Sequence, residues 1–171
     1  MHQTAVVVTF TKPDEGHPYG DAHVVEDWGL NDMIRGEGCE ELEDFWDKES
    51  DGFLRIREMF KYGSSGMAKV VPMPKLKCVR VRLGPNACEK VADEDWKRCW
   101  ELFSKISPSD FRLRSGPAYE LGKILAGTTF DDLVLEEGDY YPVREWVASL
   151  GAVNDNEPCT FYVVQAFDTD P

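Results

Sequence analysis

Between residues 47 and 58 carboxylates recur around a glycine: Asp47, Glu49 and Asp51, then Gly52, Phe53 and finally Glu58. Such a stretch suits one kind of chemistry. Oxygen donors at the first, third and fifth of twelve places, a backbone carbonyl at the seventh and a bidentate carboxylate at the twelfth can enclose Ca2+, with glycine at the sixth making the sharp turn. No other stretch makes so definite a chemical claim. The three histidines all fall within the first 23 residues. Neither a Ser-His-Asp or Cys-His arrangement nor a phosphate-cradling glycine loop is recognisable. His17, Asp21 and His23 could in principle gather around a metal, although a polar turn is the simpler account. The 32 acids give no means of singling out a carboxylate pair for acid–base work. An enzyme with a carboxylate-based site is therefore only a second alternative.

The 47–58 stretch resembles the calcium loop of an EF-hand, down to the apolar residue that the family places eighth, here Leu54. The resemblance implies Ca2+ held by Asp47, Glu49, Asp51, the carbonyl of Phe53 and Glu58. Two residues depart from the pattern, and both weaken binding. Glu49 is one methylene longer than the usual third residue, and Arg55 puts a cation where an oxygen or a water normally faces the metal. The likeness covers this loop and its flanks alone, with no second copy. The simpler reading of the same residues is an Asp-Gly turn leading into a strand or helix start at 53–57.

Length and composition imply a single globular domain over residues 1–171 that needs no metal or disulfide staple. A hydrophobic fraction of 42% with 12% aromatic residues argues for a folded chain. Cys39, Cys78, Cys88, Cys99 and Cys159 are odd in number and contain no Cys-x-x-Cys pair, which suits a reducing compartment and speaks against zinc. With neither a basic leader nor an apolar run of spanning length, the expected place is the cytoplasm.

Charge falls in blocks. Residues 14–51 hold 14 acids against Arg35 and Lys48, residues 53–125 hold 15 bases against 8 acids, and from residue 126 onward 10 acids face Arg144. A chain of net charge −13 is repelled by nucleic acid and by anionic membranes, so its natural partners are basic surfaces. The base-apolar-base pairs Arg55/Arg57, Arg80/Arg82 and Arg112/Arg114 would each share a face on a strand. They are expected to meet the protein's own acids or to flank solvent.

Residues 3–11 are apolar on both alternating faces, which predicts an interior strand. A helix is predicted over 40–47, with Leu42, Phe45 and Trp46 on its apolar side, and a short one over 56–62. Pro72 and Pro74 demote the first half of a β-rich stretch to an edge or bend. A slip in apolar phase between Cys78 and Val79 predicts a bulge. Residues 93–106 read as the clearest helix, with Trp96, Cys99, Trp100, Phe103 and Ile106 in one stripe expected to be core. Further helices are predicted over 117–126, from 128 to near 138, and over 143–150, and a last apolar strand over 160–167. The expected fold is α+β: a single mixed sheet with the first and last strands central and helices packed against it.

The function expected is non-enzymatic. An acidic protein–protein interaction module would act as a stoichiometric inhibitor of a basic or nucleic-acid-handling partner such as a nuclease, in the manner of immunity or phage anti-defence proteins; that comparison rests on composition alone. Binding is expected from the acidic segment 26–51, joined by 131–139. Glu40, Glu41, Glu43 and Asp44 would steer, and Trp28, Phe45 and Trp46 would anchor.

Overall fold

The computed structural model describes residues 3–25, 39–126, 131–150 and 158–169. Its fold is α+β: the described residues hold five helices and one mixed sheet whose centre is formed by the first and last strands, with helices packed against it. The strands are β1 (Gln3–Thr9), β2 (Glu40–Glu41), β3 (Ala68–Met73), β4 (Cys78–Leu83), β5 (Leu133–Glu136), β6 (Asp139–Pro142) and β7 (Cys159–Thr169). They lie in the order β3-β4-β7-β1-β5-β6, with β2 also pairing β7. β1 runs antiparallel to β7 and parallel to β5. Central placement follows from sequence, because both strands are apolar on their two faces and buried almost throughout.

On one face, α1 (Asp51–Gly63) and α5 (Val143–Ser149) close the larger core. Ser50 caps α1 by accepting from the amide of Phe53 at 3.1 Å, and Phe53, Ile56, Met59 and Phe60 recur at helical spacing on its buried side. Trp146 of α5 and Phe60 of α1 meet Phe161 of β7 edge to face, at 4.8 and 5.2 Å. The two helices approach closely enough that a Cβ on Gly63 would lie 2.6 Å from Val143 Cγ2. The other face buries Ala5, Val7, Cys78, Leu133, Leu135 and Val164, covered among the described residues by Ala22, Val25, Met73 and Leu76.

Several expectations are corrected. Residues 40–47 form no helix: the amide of Leu42 donates to the Ala166 carbonyl at 2.8 Å, and Glu40 and Glu41 pair with Asp168 and Phe167. β7 outruns β4 and leaves backbone groups for this segment to satisfy. The apolar slip at Cys78 and Val79 is no bulge, since β4 pairs with β3 in unbroken register. Cys78 and Val79 are buried in the cores on opposite faces; the register shift falls between Val7 and Val8 instead. In place of a helix ending near 138, β5 and β6 form a hairpin whose turn residues, Glu137 and Gly138, both have positive φ. β3 takes the edge predicted from Pro72, and Pro74 opens a short 3-10 turn (Pro74–Leu76).

The remaining helices are α2 (Ala87–Lys105), α3 (Pro108–Leu113) and α4 (Pro117–Leu125). α2 buries only Ala87, Cys88 and Val91, and no residue of α3 or α4 is buried. These helices pack on α5 and on one another more than on the sheet.

Candidate functional site

Glu40 and Glu41 on β2, Glu43 and Asp44 in the following turns, and Asp47, Glu49 and Asp51 up to the start of α1 are all exposed. Lys48 is the one cation among residues 40–51. The backbone that carries this acidic run is well supported. β2 is paired to the sheet, the Asp47 carboxylate accepts from the amide of Glu49 at 3.0 Å, and the Asp47 carbonyl accepts from the Ser50 hydroxyl at 2.7 Å. Phe45, expected as a surface anchor, is only 2% exposed and belongs to the core, where it meets Trp46 edge to face at 5.1 Å. Trp46 is half-buried and keeps an edge at the surface. Trp28 lies outside the described residues.

The donor set of the calcium-like stretch is wound into a helix. α1 begins at Asp51 and runs unbroken past Glu58, so these two carboxylates stand about 10 Å apart along its axis. The Phe53 peptide belongs to the same helix. Arg55 points at the sheet: Nε donates to Thr4 Oγ1 at 2.9 Å and Nη2 to Asp168 Oδ1 at 3.2 Å. So held, the residues do not fit an enclosed cation. His17 turns to Asp14 at 3.3 Å, while Asp21 accepts from the Thr9 hydroxyl. Among the described residues no three His, Cys, Asp or Glu side chains gather as a metal site.

A cleft of about 320 Å³ opens where β1 and β5 end, lined by Thr9, Phe10, Asp21, His23, Glu136 and Glu137 among others. The Thr9 hydroxyl holds the Asp21 carboxyl below its usual range. Glu136 accepts from the Trp146 indole at 2.7 Å, and Phe10 stacks over Trp146 at 6.1 Å. Its carboxylates suit a cationic or hydrogen-donating group, but the cleft lining contains no Ser or Cys nucleophile beside a base. Burial pushes the Cys78 and Cys159 thiols up to about 11 and raises that of Cys88, away from a reactive thiolate.

The feature that sequence reasoning misplaced is the aromatic stripe of α2. Trp96, Trp100 and Phe103 are 68%, 59% and 60% exposed, and they stack in series at 6.4 and 6.0 Å. The helix turns a different line inward: Cys88 and Val91 are buried, Asp95, Cys99, Leu102 and Ile106 half-buried. At 100° per residue the two lines lie roughly 110° apart. A helix apolar along two such lines cannot bury both against one sheet, and that was the available signal. Asp95 settles which line faces inward by accepting from Arg144 Nε at 2.9 Å. No family model, no curated protein and no solved structure matches the chain.

Proposed function

We propose that the protein acts in the cytoplasm by stoichiometric contact, as an acidic interaction module whose ridge at residues 40–51 docks on the basic surface of a partner. A nuclease or another nucleic-acid-handling protein offers such a surface, and covering it would inhibit that partner, as immunity and phage anti-defence proteins do. The observation that carries the reading is the acidic run itself, with seven exposed carboxylates in residues 40–51. They stand on backbone already held by β7 and by Phe45 in the core. Because the ridge is preorganised, little ordering cost falls on binding. Its charge accelerates encounter with a cationic surface. The exposed edge of Trp46 adds apolar contact at the end of the ridge.

Replacing Glu40, Glu41, Glu43 and Asp44 together by Lys tests the reading, with capture of purified basic nucleases at physiological salt as the measurement. These side chains are exposed, so the variant is expected to fold and to lose capture. Wild-type capture is expected to slow steeply as salt is raised. Capture unchanged by the fourfold substitution would refute the proposal.

A further inference from the structure

Of the three base-apolar-base pairs, Arg55 finds Asp168 at 3.2 Å, and Arg114 lies over the Phe111 ring at 4.3 Å. Arg80 and Arg82 on β4 find neither a carboxylate nor a ring among the described residues. Val79 and Val81, which alternate with them, are buried in the larger core with Ala68 and Val70 of β3 packed beside them. Arg80, Arg82 and Lys69 therefore stand on the opposite side of the sheet, and all three are exposed.

Their arrangement is costly as it stands. Lys69 is the cross-strand partner of Arg82, and Val71 that of Arg80. Like charges set directly opposite one another on a sheet repel. The chain has 32 acids with which to relieve that repulsion, yet residues 59–88 contain six bases and no acid at all. At the chain's average such a length would hold about five acids. The three cations line a groove of about 680 Å³, walled in addition by Met67, Val71 and Pro85.

We infer that this groove binds a small phosphate monoester, with Lys69, Arg80 and Arg82 on the phosphate and Met67, Val71 and Pro85 against the organic body. Arg80 and Arg82 lie about 6.8 Å apart along the strand, and Lys69 about 5.5 Å across from Arg82, measured at Cα. Side chains of this length close on one tetrahedral dianion from three directions. Guanidinium forks match phosphate oxygens two at a time, and an ammonium adds a point charge. The anion would then bridge Lys69 and Arg82 and turn their repulsion into attraction.

Size and net charge select a small solute. The groove lies within the range of small-molecule sites. A chain of net charge −13 repels a long polyanion, whether nucleic acid or acidic protein, over its whole length. A compact phosphate ester feels chiefly the charges within a Debye length of about 8–10 Å. The inference is independent of the acidic run at residues 40–51.

Isothermal titration calorimetry of the full chain at physiological salt tests it, with phenyl phosphate and inorganic phosphate as probes. Phenyl phosphate is expected to bind one to one with a dissociation constant of about 1 mM or below, and inorganic phosphate about threefold more weakly for want of the apolar wall. Arg80→Gln with Arg82→Gln is expected to weaken phenyl phosphate about tenfold or more, and Lys69→Gln alone about threefold. Both variants should melt no lower than wild type, because they remove exposed like charges. Arg112→Gln with Arg114→Gln removes the same charge from α3 and should leave binding unchanged, which separates a site from general attraction. Absence of binding up to about 10 mM phenyl phosphate would overturn the inference. So would affinity indifferent to the Arg80 and Arg82 substitutions, or inorganic phosphate binding as tightly as the ester. A short single-stranded RNA or a polyglutamate chain that binds more tightly than phenyl phosphate would also overturn it, and would assign the groove to a polyanion.

Discussion

Arg144 joins three helices through one side chain. Its guanidinium donates to Asp95 at 2.9 Å and Glu94 at 3.2 Å on α2 and to the Tyr62 carbonyl at 2.9 Å on α1, and it lies over the Tyr62 ring at 5.1 Å. In sequence it stood out only as the one base among the acids of the last block. Which acids it meets depends on helices that are 49 and more residues distant. The side chain is 13% exposed, so Arg144→Met removes partly buried, charge-assisted bonds and strands Asp95 without a counter-charge. The expected cost is about 2 kcal/mol, measured by urea unfolding. A change within 0.5 kcal/mol would mean that the network adds nothing beyond what solvent supplies. Arg55 is the second such case: its place in the calcium-like spacing hid its role as the tie between α1 and the end of the sheet.

At the scale of elements, spacing and conformation part company in α1. The order of donors from Asp47 to Glu58 was legible, but the cap at Ser50 and the buried row from Phe53 to Phe60 make helix the more favourable form for its second half. The thermal midpoint is therefore expected to agree within about 1 °C between millimolar Ca2+ and chelator. A rise of roughly 5 °C or more would mean that the segment unwinds to enclose the ion. α2 and β4 teach a related lesson. Hydrophobic periodicity found the helix and showed an apolar line, yet two lines were present and only contact with α4 and α5 decides between them. In β4 the apparent break in alternation at Cys78 and Val79 reflects burial on both faces of a sheet, not an inserted residue.

At the scale of the whole molecule, carboxylates govern stability at low pH. Backbone and side-chain hydrogen bonds from His17 depress Asp14, the Thr9 hydroxyl depresses Asp21, and Ser65 with Arg144 depresses Glu94. A group whose pKa is lowered by folding lends stability above its unfolded value and loses it as pH falls through the folded one. Burial raises Asp132 and acts in the opposite sense. Three against one, the thermal midpoint is expected to be lower at pH 3 than at pH 5, and the reverse would show that the buried Asp132 dominates. The sequence by itself determined the fold class, because runs apolar on both faces, such as residues 3–9 and 159–167, are buried fully only inside a sheet. It also determined the charge blocks and the edge position of β3, where Pro72 cannot donate to a ladder. Only the tertiary structure decided that residues 40–41 form a strand against the overhang of β7, that Phe45 turns inward, and which line of α2 stays in water. Local periodicity states that a face is apolar; what covers that face depends on groups brought near from distant parts of the chain.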